Sequence, residues 1–262
     1  MSFQGFTLRP LSRRSLLAGL SAGVAVAACS ENPATGRRQF MLVSDEQLAA
    51  LGAQAWTDLQ AQTPLSRDAD AIARLERIGA RVAGASGRTD LAWEFKVFDS
   101  PEVNAFVLPG GKVGFFKGLM DLAQSDDELA AVMGHEVGHV QARHAAERMS
   151  QELALQLGVQ LAAAALSEEY GQNASAIAGA LGMGAVYGVI LPYSRQHEFE
   201  ADELGVGFMA GAAYAPQAAV SFWERMIEAT GGGSGGQVAA LLSTHPASDE
   251  RLERLRAVVA AA

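Results

Sequence analysis

The sequence contains a single cysteine, Cys29, and only five histidines. One cysteine cannot form an intramolecular disulfide, and it cannot build a cysteine-based zinc site further along the chain. Any metal site must therefore use histidine and carboxylate ligands. The positions of the five histidines consequently carry much of the functional information.

The chain also lacks long runs of one charge. Its 29 acidic and 20 basic residues give a formal net charge of -9. A nucleic-acid-binding domain is expected to present a clustered basic surface, so this composition predicts no nucleic-acid partner. With 262 residues, 49% of them hydrophobic, the chain is long enough for one catalytic domain with an ordinary globular core.

Residues 1–28 contain no acidic residue and carry arginines only at Arg9, Arg13 and Arg14. The uncharged stretch 15–28 ends in small residues, which is typical of a secretory signal peptide. It is shorter than the roughly 20 residues that a membrane-spanning helix needs. The two adjacent arginines resemble a twin-arginine export signal, and Sec export is the alternative.

Cys29 directly follows Val26-Ala27-Ala28, and these four residues resemble a bacterial lipobox. The pattern predicts that Cys29 is lipidated and anchors an exported lipoprotein to the membrane at the periplasmic face of the envelope. Ser30, rather than an aspartate, follows the cysteine, which favours the outer membrane. The alternatives are a plain signal peptide with an incidental cysteine and an uncleaved anchor.

After the predicted signal peptide, 1–28, we expect a polar tether at 29–42 and a catalytic domain at 43–262. The tether is predicted from the polar composition of this stretch and from its Pro33 and Gly36.

The first part of the catalytic domain is predicted to pair two helices with a small sheet. A capping box at Ser44 opens the first helix, and the second follows Ser66. Alternation over 91–98 and two short apolar segments joined by a Pro-Gly-Gly turn predict three strands. A three-stranded antiparallel sheet is the simplest assembly.

Beyond residue 120 the apolar spacing predicts helices almost throughout. The predicted helices run from Ser125 to about Met149, then over about 151–166, 194–211 and 216–229, with a last helix capped by Ser248. Two glycine-rich stretches interrupt them. We expect 231–236 to be a flexible loop. We expect the uncharged stretch between Glu169 and Arg195 to form a mobile flap or buried hairpin near the active site, because its strongly apolar portion is too short to span a membrane.

The segment His135-Glu136-Val137-Gly138-His139 is an H-E-x-x-H motif inside the helix that opens at Ser125. Residues four apart lie on one face of a helix, so His135 and His139 can reach one cation, while Glu136 can act as general base on a bound water. Two imidazoles with a carboxylate and one open position are typical of catalytic zinc, so we expect one zinc ion per chain.

The third ligand must be a carboxylate, because the metzincin pattern would need a histidine where the chain has Ala145. Glu198 is the best candidate, since Asp202 lies one helical turn further and can hydrogen-bond a ligand imidazole. Glu200 is expected to point away from that face as a solvated charge. His144 and His197 are expected to serve packing or hydrogen bonding, because their spacing turns them off the ligand face.

Several blocks of the sequence carry a family resemblance. They are His135 to His144, Ser194 to Asp202, Asn104-Ala105-Phe106 with Pro109-Gly110-Gly111, Ser243-Thr244-His245-Pro246, and Asn32 to Arg38. Together they resemble the HtpX and CAAX-prenyl-protease family of gluzincins, in particular its soluble periplasmic branch. The resemblance covers most of the chain after residue 31. It implies a zincin-like α+β fold, predominantly helical, with an active-site helix that carries H-E-x-x-H.

The resemblance also implies roles for individual residues. The first glutamate of E-x-x-x-D is the zinc ligand in that family, which supports Glu198. His245 is expected to lie close to the zinc, either in its open position in a resting state or as a donor to the developing oxyanion. Substrate is expected to add as an extended segment to the sheet edge at Asn104, Ala105 and Phe106, which an edge strand makes physically reasonable.

The sequence thus predicts a zinc-dependent endopeptidase. The expected substrates are unfolded or misassembled cell-envelope proteins, and the resemblance implies a role in outer-membrane protein quality control. The alternative is a non-proteolytic periplasmic chaperone or assembly factor with a zinc site. A complete set of base and ligands argues against a purely structural site, which would be coordinatively closed.

Overall fold

The structure is a computed structural model that describes residues 29–185, 191–231 and 235–262. The predicted signal peptide lies outside the described residues. The elements, in chain order, are β1 Cys29–Glu31, β2 Arg38–Phe40, α1 Asp45–Gln62, α2 Ala69–Ala85, β3 Glu94–Phe98, β4 Ala105–Leu108, β5 Lys112–Phe116, α3 Lys117–Leu122, α4 Asp126–Gln141, α5 His144–Tyr170, α6 Ala174–Ala185, α7 Leu191–Gly211, α8 Gln217–Gly231, α9 Gly235–Thr244 and α10 Asp249–Ala261.

The N-terminal segment 29–42 is not the polar tether that its composition predicts. Strands β1 and β2 pair as an antiparallel hairpin. Asn32 and Gln39 are buried, and the Gln39 side chain donates to the carbonyl oxygen of Ala142 at 2.6 Å. Polar residues in this hairpin therefore form buried hydrogen bonds that hold it against the helices. Composition alone does not show whether a polar residue is buried in this way or exposed to solvent.

The small sheet has the order β3-β5-β4, and its predicted all-antiparallel pairing is wrong for one pair. Strand β4 runs antiparallel to β5 after a tight turn at Gly110 and Gly111, whose φ angles are +89° and +81°. Strand β3, however, runs parallel to β5. The most buried strand, β5, takes the centre, so β3 and β4 flank it and β4 is left at an edge.

The centre of the molecule is the crossing of α4 and α7. A Cβ on Gly134 would lie 2.7 Å from the carbonyl oxygen of Gly205, and one on Gly138 would lie 2.6 Å from that of Ala201. The two backbones can approach this closely only because glycine has no side chain. Helix α4 is consequently buried from Glu128 to His139, so its polar side chains face other protein groups rather than bulk water.

The predicted helix that runs from Ser125 to Met149 is interrupted. Helix α4 ends at Gln141, Arg143 takes a left-handed conformation with φ of 56°, and α5 begins at His144. Apolar periodicity continues across the break, which is why the sequence alone suggests one helix. The break redirects the chain immediately after the H-E-x-x-H motif.

The glycine-rich stretch after Glu169 is neither a flap nor a buried hairpin where it is described. Its residues Ala174–Ala185 form α6, which packs on α5 with Gly182 against Val159 and leaves Leu181 and Met183 more than half exposed. Within 29–185, 191–231 and 235–262, no helix is long and apolar enough to cross a membrane.

The remaining helices agree with the predicted pattern, apart from α9, which the sequence did not suggest. Helices α7 and α8 cover the two predicted regions, and Ser248 caps α10 by accepting from the backbone N–H of Arg251. The mostly helical α+β architecture is therefore confirmed. Of the predicted flexible loop 231–236, residues 232–234 lie outside the described residues, whereas Gly231 ends α8 and Gly235 and Gly236 begin α9, so those three are helical rather than loop.

Candidate metal centre and active site

Helix α4 presents both histidines of the motif to one point. The Nε2 atoms of His135 and His139 lie 3.1 Å apart, and both side chains are buried. This is the arrangement expected of residues four apart on one helical face.

Glu198 reaches the same point from α7. Its Oε2 lies 3.2 Å from His135 Nε2, and its Oε1 lies 3.5 Å from His139 Nε2. His245, just after α9, places Nδ1 3.1 Å from Glu198 Oε2 and 3.0 Å from His135 Nε2. The ligand atoms of these residues all lie within 4.8 Å of one another.

These separations suit a metal ion. Bonds of about 2.0–2.1 Å in tetrahedral geometry hold ligand atoms roughly 3.3 Å apart, close to the distances observed between His135, His139 and Glu198. The donor set, imidazole nitrogens and a carboxylate, also matches the preferences of a first-row divalent metal. The cluster could therefore hold a metal ion.

Asp202 lies where the sequence predicts it, one turn beyond Glu198. Its Oδ1 is 2.8 Å from Nδ1 of His135 and accepts a hydrogen bond from the Nδ1–H group, so Nε2 of that ring is the nitrogen that faces the cluster. Burial lowers the pKa of His135, but the carboxylates of Asp202 and Glu198 outweigh it and raise that pKa to about 9. Binding of a metal by this ring would therefore release a proton.

Arg251 is a member of the site that sequence reasoning missed. Its Nε donates to Asp202 Oδ2 at 2.7 Å, its Nη1 lies 3.0 Å from Glu198 Oε2, and the side chain is buried. A signal was present, because Arg251 shares one face of α10 with the buried Leu255 and Val259. A charge on an apolar face is rarely buried without a partner.

Glu200 contradicts the prediction of a solvated charge. It is only 7% exposed, and its Oε2 lies 3.0 Å from Nε2 of His144. Arg37, from the N-terminal hairpin, donates to its Oε1 at 2.6 Å. The prediction failed because the hairpin covers this face of α7, and the spacing of residues along one helix gives no information about a segment 163 residues away in sequence.

His144 and His197 make hydrogen bonds and stack on each other, as predicted. Their ring centroids are 4.1 Å apart, and Nε2 of His197 lies 2.9 Å from Glu147 Oε2. His144 is also bonded to a predicted metal ligand, since its Nδ1 lies 2.8 Å from Nδ1 of His139. Burial lowers the pKa of His144 to about 4 despite the opposing effect of Glu200, so its ring is neutral near pH 7.

Glu136 lies beside the cluster in a cleft of about 260 Å³. Its Oε1 is buried, has no hydrogen-bond partner among the described residues, and lies 3.3 Å from His245 Nε2. The cleft is also lined by Asn104, directly before β4, and by Ala105 and Phe106 of β4. A buried carboxylate oxygen without a partner is suited to accept a hydrogen bond from a water or a substrate in the cleft.

Comparison with known proteins agrees with this geometry. A profile described as Peptidase family M48 matches residues 69–259. Mitochondrial metalloendopeptidase OMA1 of Schizosaccharomyces pombe is 40% identical over 69% of this chain and 51% of its own length. Metalloprotease LoiP of Escherichia coli is 26% identical over 93% of this chain and 95% of its own length.

The beta-barrel assembly-enhancing protease of Escherichia coli is 27% identical over 92% of this chain and 50% of its own length. The chain thus spans about half the length of this protein and of OMA1, and nearly all of LoiP. The matched range of this chain includes the helix with H-E-x-x-H, the helix with Glu198, and His245. The chain therefore belongs to peptidase family M48 and contains a metalloendopeptidase domain of that family.

Proposed function

We propose that this protein is a zinc-dependent endopeptidase whose zinc is held by His135, His139 and Glu198. The observation that carries the proposal is the convergence of these ligand atoms beside the buried Oε1 of Glu136, which has no hydrogen-bond partner within the described part of the chain. Two imidazoles and a glutamate are typical of catalytic zinc in peptidases. A zinc ion in this position supplies Lewis-acid activation of water and of the peptide carbonyl.

Glu136 is proposed as the general base. Its carboxylate accepts a proton from the attacking water and later delivers that proton to the leaving amine. Asp202 and Arg251 have a supporting task, because Asp202 orients the His135 ring through a buried hydrogen bond and Arg251 holds the Glu198 carboxylate in a buried ion pair. The cleft between α4 and the β4 edge gives an extended chain access to Glu136.

His245 is proposed to control the fourth position of the site. With Nδ1 3.1 Å from Glu198 and Nε2 3.3 Å from Glu136, it faces both the ligand set and the base. In this arrangement it occupies the space that a substrate carbonyl needs, which fits a resting state. After a shift of the loop that follows α9, the same imidazole can donate to the developing oxyanion.

The proposed substrates are unfolded or misassembled cell-envelope proteins. An extended segment that adds to the β4 edge at Asn104, Ala105 and Phe106 would be held by main-chain hydrogen bonds, which tolerate many sequences. The similarity to a protein named for enhancing β-barrel assembly supports a role in quality control of outer-membrane proteins.

The proposed location follows from the N-terminus. Residues 1–28 would act as an export signal, through the twin-arginine or Sec route, and Cys29 would carry a lipid that anchors the protein, with the outer membrane favoured. Cys29 is exposed at the start of β1, which suits a lipid attachment point. Mass spectrometry of detergent-extracted protein should find acyl chains on residue 29 in the wild type and none in Cys29→Ser.

Cleavage of casein, an unfolded substrate, tests the activity. Wild type, Glu136→Gln and His245→Ala are compared, with zinc measured in each. Activity lost in Glu136→Gln with zinc retained supports the proposal, and a rise in His245→Ala supports a resting state held by that histidine. A zinc-loaded Glu136→Gln enzyme with full activity would refute Glu136 as the base.

A non-proteolytic chaperone with a zinc site is the second candidate. The approach of His245 to the ligand set favours it, because a fourth protein ligand would close the metal coordination. Zinc bound by all three proteins, without cleavage of any unfolded protein by any of them, would select this candidate over the peptidase.

A further inference from the structure

The hydrogen bond between His139 and His144 has only one direction compatible with a metal-bound His139. A neutral imidazole that ligates through Nε2 carries its proton on Nδ1. Nδ1 of His139 must therefore donate across the 2.8 Å contact to Nδ1 of His144. Nδ1 of His144 must be the acceptor, so its own proton lies on Nε2.

Glu200 and Arg37 complete the same chain of contacts. Nε2 of His144 lies 3.0 Å from Oε2 of Glu200, which accepts the hydrogen bond from the Nε2–H group. Arg37 donates from Nε to Glu200 Oε1 at 2.6 Å and from Nη2 to Oε2 at 3.2 Å, so the carboxylate meets a guanidinium on both oxygens. Each group thereby fixes the orientation and tautomer of the next, from the guanidinium to the metal ligand.

Arg37 is held on two buried carboxylates. Besides Glu200, its Nη1 and Nη2 donate to Glu147 at 2.8 and 2.6 Å, and the arginine side chain is 20% exposed. The hairpin itself is fixed to the helix break, because Gln39 donates to the carbonyl oxygen of Ala142. The N-terminal hairpin thus cannot move without disturbing the groups behind His139.

We propose that His144, Glu200 and Arg37 are positioning residues of the metal centre, and that the N-terminal hairpin is in this way a structural part of it. They orient the ring of His139 and fix its tautomer, as Asp202 does for His135. In the His139 case the neutral imidazole of His144 lies between the metal ligand and the carboxylate of Glu200. The inference rests on the proposed assignment of His139 as a metal ligand. We expect the affinity for metal to depend on a hydrogen-bond acceptor at Nδ1 of His144 and on the charge of Arg37, which the N-terminal hairpin supplies.

Replacement of His144 by leucine and by asparagine tests the acceptor. The two substitutes have nearly the same shape, but Oδ1 of asparagine takes the position of Nδ1 and can accept from His139, whereas leucine cannot. Loss of an outer-shell partner costs about 10–100-fold in metal affinity. We expect the zinc dissociation constant, from competition with a chelator, to rise by that factor in His144→Leu and by clearly less in His144→Asn, which keeps the acceptor for His139 but loses the contact with Glu200.

The visible absorption bands of the cobalt-substituted proteins add a readout of coordination geometry. We expect them to shift in His144→Leu and to return towards the wild-type positions in His144→Asn. A purely structural role predicts equal effects of both substitutions on zinc affinity, and that result would overturn the proposal. Unchanged affinity in His144→Leu would overturn it as well.

Arg37→Gln tests the far end of the chain and remains informative if His144→Leu does not fold. Its matched control is Arg38→Gln, since Arg38 is the neighbouring arginine in β2 and is exposed. We expect weaker zinc binding in Arg37→Gln and wild-type binding in Arg38→Gln; equal binding in both would contradict the role of the hairpin. A wild type that binds no zinc would instead refute the proposed function, so the two failures are distinguishable.

Discussion

Arg251 offers a direct test of how the buried charges of the site are held. Its guanidinium donates to both oxygens of Asp202, at 2.7 and 2.8 Å, and lies 3.0 Å from Glu198. Its side chain is 4% exposed and lies over the ring of Trp223 at 4.1 Å. Arg251→Met keeps a long side chain to pack on that ring but removes the charge and all the donors.

The expected cost follows from burial. Removal of one partner of a buried ion pair leaves the other charge uncompensated and costs about 3–5 kcal/mol. About 1 kcal/mol lowers the melting temperature of a domain of this size by about 2–4 °C. We therefore expect the melting temperature of metal-free Arg251→Met to lie roughly 6–20 °C below that of the metal-free wild type.

The assay is thermal unfolding followed by circular dichroism in excess chelator, so that metal binding adds no stability of its own. Arg256→Met is the matched control, because Arg256 lies on the same helix and pairs with Glu224 at 2.6 Å, with both side chains largely exposed. An exposed pair contributes about 0–1 kcal/mol. If Arg251→Met melts at the same temperature as Arg256→Met, the buried pair does not hold the site together in the way we infer.

Three further predictions concern stability and metal. Burial raises the pKa of Glu147, but Arg37 and His197 outweigh burial and lower that pKa from 4.5 to about 2. The contribution of Glu147 to stability is therefore present above pH 4.5 and is lost as the pH falls towards 2. Urea unfolding at several pH values should show that the difference in unfolding free energy between wild type and Glu147→Gln shrinks over that interval, and a constant difference would contradict this. Gly134→Ala would bring a Cβ to 2.7 Å from a backbone oxygen of α7 and should lower the free energy of unfolding in urea by about 1–3 kcal/mol. Gly207 has open space around it, so Gly207→Ala should be neutral or stabilising. Equal effects of the two substitutions would refute the close helix crossing. Saturating zinc should raise the melting temperature of the wild type but not of His139→Ala, and an equal rise in both would exclude His139 as a ligand.

The local features of the site could be predicted from sequence because short-range rules fix them. His135 and His139 are one helical turn apart, so any helix through 135–139 places them on one face. Asp202 follows Glu198 by one turn for the same reason. Ser44 and Ser248 cap helices because a side-chain oxygen there satisfies backbone N–H groups that the helix leaves free.

The features that the sequence did not reveal depend on contacts between distant segments. Arg251 and Asp202 are 49 residues apart, and Arg37 and Glu200 are 163 apart. No local sequence pattern indicates which buried acidic side chain pairs with which buried arginine. The parallel pairing of β3 with β5 was missed for a related reason, since the order of strands depends on which strand the helices bury most completely.

The sequence by itself determined the chemistry of this protein: a helix with two histidines and a glutamate, a second helix with a glutamate and an aspartate, and no cysteine that could replace them. Those properties follow from residue identity and helical spacing. Tertiary structure alone decided that Glu200 is buried, that His144 lies behind His139, and that the N-terminal hairpin supplies Arg37 to Glu200. The physical reason is that burial and pairing of charge are set by whatever packs against a residue, and here the covering segments come from the two ends of the chain.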